Sequence, residues 1–325
     1  MISVSQASPL PKQSASMKKK IELSRLKLRP GDYVEVRSFE EIASTLEDNG
    51  TLAGLPFQPE MQKYCGGTFG VIRPVKKLII ENTKTGPRGI RNTVILDSVN
   101  CDGQFHHGCT RYCYFLWKEA WLKKLRHHNH LADPPIDFNR TRLPSPHQTP
   151  RPSLCHCQSM AMLKATYPMP IWNLKQYIWD ISDNTLPLLE RIILLAVSLT
   201  RHIKNLLGLR LPNRLSSHLD KTPSVNFRLE PGEWVEIKSL NEIRATLDCS
   251  GKNRGLGFTK EMKKFCGQKF SMLKPIDKII VEGTGETRRL FHTVILNGAN
   301  CDGQPHFGCN RHCYLMWRKI WLKKV

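Results

Sequence analysis

Alternating hydrophobic and polar residues follow a turn signal at two places in the chain. A Pro-Gly pair precedes Tyr33–Val36, and another precedes Trp234–Ile237. Alternation with a period of two predicts a strand that buries one face. We therefore expect two equivalent strands, each entered through a tight turn.

A capping-box pattern follows each of these predicted strands. Ser38 is followed three residues later by Glu41, and Ser239 in the same way by Glu242. This spacing satisfies free backbone donors at the start of a helix. It predicts two short helices, the first of which we expect to end near Gly50.

The chain beyond the first helix predicts a further turn, three strands and a closing helix. A helical turn carries Met61, Tyr64 and Cys65, and the strands are expected at Phe69–Ile72, Lys77–Glu81 and Thr93–Leu96. The last element is read as a helix from about Arg111 to Leu125, with Thr110 as its N-cap. Such a helix would place Trp117 and Trp121 on one face with Cys113.

An internal repeat covers all of these elements. The stretch CDGQFHHGCTRYCYFLWKEAWLKK at Cys101–Lys124 recurs as CDGQPHFGCNRHCYLMWRKIWLKK at Cys301–Lys324. Leu28–Leu46 likewise matches Leu229–Leu247. One residue has been gained or lost between the copies in the loop near Lys84–Arg91. We call residues 28–124 the first copy and 229–324 the second copy. Each is about 100 residues long, which is enough to bury a modest core.

The repeated motifs resemble those of an uncharacterised bacterial family. They read P-G-[DE]-[WY]-V-E-[VI] and C-D-G-x-x-H-x-G-C-x3-C-x3-W, and the resemblance covers nearly the whole chain. It implies no particular activity. Short strands after the P-G-[DE] opening are also similar to small SH3-like barrels, an analogy of fold that carries no function.

These patterns predict an α+β protein of two tandem pseudo-symmetric modules. Each is expected to be a small SH3-like barrel with short helices and a C-terminal helix that carries Cys and Trp residues. A helical insert joins them. The expected segments are a disordered basic tail at 1–25, a first metal-binding module at 26–126, a Pro/Arg-rich linker and helical insert at 127–224, and a second metal-binding module at 225–325.

The charge balance favours an anionic partner. The chain has 49 Lys and Arg residues against 28 Asp and Glu, a formal net charge of +21. Such an excess suits nucleic acid, anionic lipid or polysaccharide, or simply a well-solvated surface. The lysines that end both copies and the nearby tryptophans fit nucleic acid, although tryptophans at this spacing are more often core residues. The apolar run within 186–209 is too short to cross a bilayer, and it predicts a helix that packs between the copies or contacts a membrane surface.

The 11 cysteines are many for a protein without an export signal. Met1–Lys20 lacks the apolar core of a signal peptide, so we expect a cytoplasmic protein. In that compartment metal or redox use of thiols is favoured over a disulfide framework. Cys155, Cys157 and Cys249 have no counterpart in the other copy.

Four cysteines recur at matching positions in each copy, which is the number that closes a tetrahedral Zn²⁺ site or holds a [4Fe–4S] cluster. Zinc is expected first, and the cluster is the alternative. A variant uses three cysteines with His106 or His306, and inert buried thiols are the simplest other reading. The predicted ligands are Cys65, Cys101, Cys109, Cys113, Cys266, Cys301, Cys309 and Cys313.

Polar neighbours of these cysteines have a second predicted role. His106 and His306 could be ligands, or they could donate to a thiolate or to Asp102 and Asp302 around the metal. A catalytic Asp102–His106–Cys109 arrangement with Cys109 as the nucleophile is disfavoured, because proximity in sequence does not place a base beside a nucleophile.

The sequence thus favours a non-enzymatic, metal-stabilised binding or scaffold protein with two four-cysteine sites and a basic surface. The alternative is a redox protein that carries one iron–sulfur cluster per module. Because both use sulfur ligands, the pattern of cysteines does not separate them.

Overall fold

The structure is a computed structural model that describes residues 26–83, 85–125, 157–170, 172–173, 176–177, 179, 189, 192, 196, 200, 203, 219–303 and 306–325. The predicted tail at 1–25 and the Pro/Arg-rich linker at 140–152 lie outside these residues. So does most of 186–209, where the five described positions are helical and exposed.

Short strands and short helices form the first copy, which begins at Leu28. The strands are β1 Tyr33–Val36, β2 Thr51–Leu52, β3 Leu55–Pro56, β4 Thr68–Pro74, β5 Lys77–Leu78, β6 Arg88–Gly89, β7 Thr93–Leu96, β8 Trp117–Lys118 and β9 Leu122–Lys124. The helices are α1 Phe39–Ala43 and the 3-10 helices Pro59–Tyr64 and Glu119–Trp121.

The segment between the copies contributes a helix, α2 Gln158–Ala165, and a strand, β10 Tyr167–Pro168. We call residues 157–170 the insert. Strand β10 pairs with β6 and so joins a small sheet of order β10-β6-β5. Helix α2 and strand β10 therefore extend the first copy, whereas residues 219–223 contact the second copy, where Leu219 bridges Asp248.

The second copy has the same elements in the same order. Its strands are β11 Trp234–Ile237, β12 Lys252–Asn253, β13 Leu256–Gly257, β14 Lys269–Pro275, β15 Lys278–Ile280, β16 Thr287–Arg289, β17 Thr293–Asn300, β18 Tyr314–Arg318 and β19 Leu322–Lys324. The helices are α3 Leu240–Arg244 and the 3-10 helices Lys260–Phe265 and Lys319–Trp321.

Two five-stranded antiparallel sheets of identical strand order carry the two cores. The first has the order β8-β7-β4-β1-β9 and the second β18-β17-β14-β11-β19. Val34 and Val36 of β1 are fully buried while Tyr33 is 42% exposed, as the alternating pattern predicts. The α+β class is confirmed.

The capping boxes form as predicted. Ser38 Oγ accepts from the amide of Glu41, whose carboxylate accepts from the amide of Ser38, and Ser239 with Glu242 repeats the arrangement. The helices are shorter than expected, however. Helix α1 ends at Ala43, well before Gly50.

The prediction of a closing helix from Arg111 to Leu125 is wrong. Strand β8 pairs Trp117 with Val94, a single 3-10 turn follows, and β9 then pairs with β1. The turn between the strands places Trp117 and Trp121 in one core, both 0% exposed. Pairing with two neighbouring strands decides the conformation here, because tertiary context overrides a weak helical pattern.

The two copies contact each other through the residues that follow Cys109 and Cys309. The amide of Thr110 donates to the carbonyl of Lys278 at 2.7 Å, and that of Asn310 to the carbonyl of Lys77 at 2.8 Å. Tyr114 and Tyr314 stack with ring centroids 5.1 Å apart. Thr110 is thus a bridge between the copies and not an N-cap.

No described helix has both the length and the apolar character that crossing a bilayer requires.

Candidate metal centres

A compact loop positions the repeated cysteines in each copy. Its two ends are joined where the amide of Cys101 donates to the carbonyl of Cys113, at 2.8 Å. Inside the loop, the amide of His106 donates to the carbonyl of Gly103 and that of Cys109 to the carbonyl of His106, both at 3.0 Å. The same three bonds recur in the second copy at 2.8, 2.9 and 3.1 Å.

A glycine is required at the start of this loop. Gly103 has a φ of +76°, and a Cβ atom there would lie 1.8 Å from the carbonyl oxygen of Cys109. Gly303 has a φ of +82° and the same close approach to Cys309, at 2.1 Å. Only glycine combines this conformation with this backbone contact. The Asp-Gly pair of the motif therefore folds the loop back onto itself.

The first loop brings Cys101 and His106 together with Glu60 of the neighbouring 3-10 helix. One ligand atom from each of the three side chains lies within 4.8 Å of the other two. His106 Nε2 is 3.0 Å from Glu60 Oε1, and both side chains are 1% exposed. The second carboxylate oxygen, Oε2, is buried without a hydrogen-bond partner in the described chain.

The second copy assembles the corresponding residues Glu261, Cys301 and His306, again within 4.8 Å of one another. His306 Nε2 is 3.4 Å from Glu261 Oε1. The amide of Gly303 donates to the sulfur of Cys301 at 3.3 Å. Glu261 Oε2 repeats the buried, unpartnered oxygen of the first group.

The geometry and donor set of both groups fit a metal ion. Zinc binds nitrogen, oxygen and sulfur at about 2.0–2.3 Å, so tetrahedral ligand atoms lie about 3.5 Å apart. The histidine–glutamate pairs, at 3.0 and 3.4 Å, are already near this spacing, and the ligand atoms of each group lie within 4.8 Å of one another. A buried carboxylate oxygen without a donor is costly unless a cation compensates it. All three ligand atoms lie close to one another, as ligands around one centre do. In a catalytic relay of carboxylate, histidine and thiol, the histidine lies between the other two groups, so the carboxylate would be far from the thiol.

Burial controls the charge of the thiols when no cation is bound. It raises the pKa of Cys101, and it raises that of Cys301 well above the usual range, with Glu261 adding to the effect. Both thiols are therefore neutral near pH 7 by themselves. A bound divalent cation would displace these protons, as metals do at cysteine sites.

The four-cysteine sets do not come together as single compact groups. Among the described residues, three or more His, Cys, Asp or Glu side chains bring their ligand atoms within 4.8 Å of one another only in the two Glu–Cys–His triads. Neither triad contains Cys65 or Cys266. Cys65 packs against the first core, and burial raises its pKa to about 11. Cys266 packs in the same way against the second core.

Cys109 and Cys113 lie close to the first triad without joining it. Together with Cys101, His106 and Cys157 they line a cavity of about 20 Å³. A space of this size holds about one water or ion. Cys309 and Cys313 occupy the matching positions of the second copy, and their binding of metal stays a prediction.

Asp102 and Asp302 have partners other than the histidines. Lys63 Nζ donates to Asp102 at 2.8 Å, and Lys264 Nζ to Asp302 at 2.7 Å. Burial alone would raise the pKa of Asp102, but the bond from Lys63 and the amide of Gln104 lower it overall. The Asp102–His106–Cys109 relay is therefore not formed, since Glu60 and not Asp102 contacts the imidazole.

The lysines and tryptophans considered for nucleic acid are engaged within the protein. Lys124 pairs with Asp32 at 2.7 Å, and Lys324 with Glu233 at 3.0 Å. Trp117, Trp121, Trp317 and Trp321 are all 0% exposed. These aromatic residues form the cores and present no surface for stacking.

Sequence reasoning missed Glu60 and Glu261. Both lie in the repeated segment that reads EMQKYCGGTF at 60–69 and EMKKFCGQKF at 261–270. The signal was a glutamate at the same place in both copies, next to a core methionine on a helical turn. Such an acid needs a partner, and this could have pointed to a ligand.

No protein-family model matches the chain, and no curated protein or solved structure matches it either.

Proposed function

We propose that the protein is a non-enzymatic, metal-stabilised binding or scaffold protein with one zinc ion in each copy. The observation that carries this proposal is the repeated triad of Glu, Cys and His around buried, unpartnered carboxylate oxygens. Each metal would join the 3-10 helix to the cysteine loop, two segments far apart in sequence. A structural zinc site contributes to folding in this way.

The proposal includes the architecture that the repeat suggests. The copies are two tandem pseudo-symmetric modules, each resembling a small SH3-like barrel. Supporting this are the identical order of the two five-stranded sheets and the matching bonds from Thr110 and Asn310 across the contact between the copies. The surplus of positive charge supports a basic surface that binds an anionic partner.

Metal analysis of the anaerobically purified chain tests the zinc centres. We expect close to two zinc ions per chain, and one in each of the variants Cys101→Ser and Cys301→Ser. Cys249→Ser is the matched control, since Cys249 is exposed and lies in neither triad, and it should keep both ions. A folded, colourless wild-type chain without metal would overturn the proposal.

A redox protein with iron–sulfur clusters is the second candidate. It is favoured by the surroundings of Cys113 and Cys313 at the contact between the copies. Burial raises the pKa of Cys113, and it raises that of Cys313 to about 12. The positive charges of Arg111 and Arg311 oppose this rise at both thiols. Buried cations beside thiols would offset the negative charge of a cluster.

Optical spectra of the same anaerobic sample separate the two candidates. A cluster gives a brown protein with absorbance near about 400 nm, and its iron content should fall when Cys113 or Cys313 is replaced by serine. Colourless protein with two zinc ions excludes this candidate. For the anionic partner, binding that is unchanged between low and high salt would exclude a phosphate-dominated mode.

A further inference from the structure

We propose that the two centres have different coordination: the insert closes the first, whereas the second keeps one position open and exchanges its metal and a small exogenous ligand. This inference rests on the proposed function, because it requires metal at both triads. It goes further by assigning the second triad a ligand-binding role that the first does not have.

The two histidines differ sharply in their exposure. The side chain of His106 is 1% exposed, while that of His306 is 41% exposed. The two carboxylates do not differ in this way, since Glu60 is 1% and Glu261 3% exposed. Solvent therefore reaches the second triad from the histidine side, although both triads have the same ligand types.

The insert encloses the first triad. Cys157, Gln158, Ser159 and Met162 form one wall of the cavity whose other lining residues include Cys101 and His106. Gln158 anchors this wall, because its side chain accepts from the amide of Leu116 at 2.8 Å and donates to the carbonyl of the same residue at 2.9 Å. Cys157 thereby adds a thiol to the first cavity.

The insert fits the first copy because two glycines allow its close approach. A Cβ atom on Gly54 would lie 2.6 Å from the carbonyl oxygen of Lys164, and one on Gly89 would lie 2.4 Å from the ring of Tyr167. Arg88 beside it donates to the hydroxyl of Thr166 at 2.6 Å. The first copy thus has a close-fitting surface for the helix and strand of the insert.

The second copy lacks this close fit to the insert at the corresponding positions. It meets described residues of the intervening segment elsewhere, where Met160 lies beside Gly285 and Thr222 accepts from the amide of Arg254. At Gly255, the counterpart of Gly54, an added Cβ would have nothing within 4 Å. Arg289 replaces Gly89, and all three residues of β16 are exposed. Strand β16 is the open edge of a two-stranded sheet, whereas β6 is covered by β10.

Open and closed zinc sites have different chemistry. Four protein ligands make a closed structural site, while three leave a fourth position for water or another ligand. One carboxylate and one thiolate neutralise a divalent cation at the second triad, so a water or a small anion can complete it. In the first copy, Cys157 lines the same cavity as Cys101 and His106 and is the proposed fourth ligand, which it would become by moving toward the triad.

Cobalt(II) and azide provide the test on the full chain. With two cobalt ions bound, we expect azide to change the visible absorption of one ion only, and a chelator to remove that ion at least about tenfold faster than the other. His306→Ala should eliminate the azide response and the fast phase. Cys157→Ala should leave both ions bound and make the slow phase fast.

The outcomes separate the two levels of the proposal. A chain that binds no metal rejects the zinc centres themselves and this inference with them. Two ions that leave in a single phase, or that respond equally to azide, leave the zinc centres standing and overturn the difference between them. A slow phase that Cys157→Ala leaves unchanged also contradicts closure by the insert.

Discussion

The first and second copies present the same three ligand types in different surroundings. Each has a glutamate on a 3-10 helix and a cysteine and a histidine in one tight loop. The insert lines the cavity beside the first triad, where His106 is buried, whereas His306 of the second triad is 41% exposed. Repetition of the candidate ligands therefore does not imply identical sites, because solvent access to each triad depends on what packs beside it.

The difference also shows how a repeat can diverge without altering its ligands. The two loops have matching hydrogen bonds, and the two sheets have the same strand order. What changes is the outer surface, where Gly89 of the first copy corresponds to Arg289 of the second. A side chain at position 89 would meet the ring of Tyr167, which packs there in the first copy.

The largest effect should come from the loop glycines, which the copies share. Gly103→Ala and Gly303→Ala force a Cβ into the carbonyl oxygen of Cys109 or Cys309. We expect each to lower the free energy of unfolding by about 3 kcal/mol or more and to release the metal of its own copy. Urea denaturation with metal analysis measures both effects.

Gly108 supplies the control for this prediction. It also has a positive φ, +67°, but nothing lies within 4 Å of its would-be Cβ. Gly108→Ala should therefore cost only about 1 kcal/mol, from backbone strain. If Gly103→Ala were no more harmful than this control, the close approach in the loop would be wrong.

The loop also shows where sequence reasoning succeeds. The strand at Tyr33–Val36 and the capping box at Ser38 depend on neighbouring residues, and the structure has both. Local chemistry decides such elements. The pairing of Cys101 with His106 was also accessible, since both lie in one short motif.

The parts that could not be predicted depend on distant contacts. Tryptophans four residues apart suggested a helix, but two strands that pair with β7 and β1 form there. Cys65 stays a predicted ligand because it recurs, but it lies outside the compact triad, which includes Glu60 five positions earlier. The difference in exposure between His106 and His306 could not be predicted either, because the two histidines occupy matching positions in the repeated motif.

A smaller effect should distinguish the two outer surfaces. Gly54→Ala and Gly255→Ala introduce the same side chain at similar φ values of +75° and +82°. The strain of about 1 kcal/mol is common to both, and Gly54→Ala adds a clash with Lys164 that we expect to cost about 1–2 kcal/mol more. Gly54→Ala should also speed chelator removal of the first metal.

Gly255→Ala is the matched comparison in this experiment, with the urea midpoint and the chelator rate measured on both variants. It should leave the two metal-release rates of the wild type unchanged. Equal losses of stability in the two variants, or equal release rates, would indicate that the insert does not pack against Gly54.

The smallest effect should be the same in both copies, because it concerns a hydrogen bond that both cores share. Trp121 Nε1 donates to the hydroxyl of Thr45 at 3.1 Å, and Trp321 Nε1 to that of Thr246 at 2.9 Å. Trp121→Phe and Trp321→Phe each remove this bond from a fully buried site, and we expect about 1–2 kcal/mol of lost stability from each. The threonine hydroxyl still donates to a backbone carbonyl, so it is not left unsatisfied. Calorimetry should give values that agree within about 0.5 kcal/mol, because both sites have the same geometry. A difference well above that would mean that the copies diverge in their cores as well as in their surfaces.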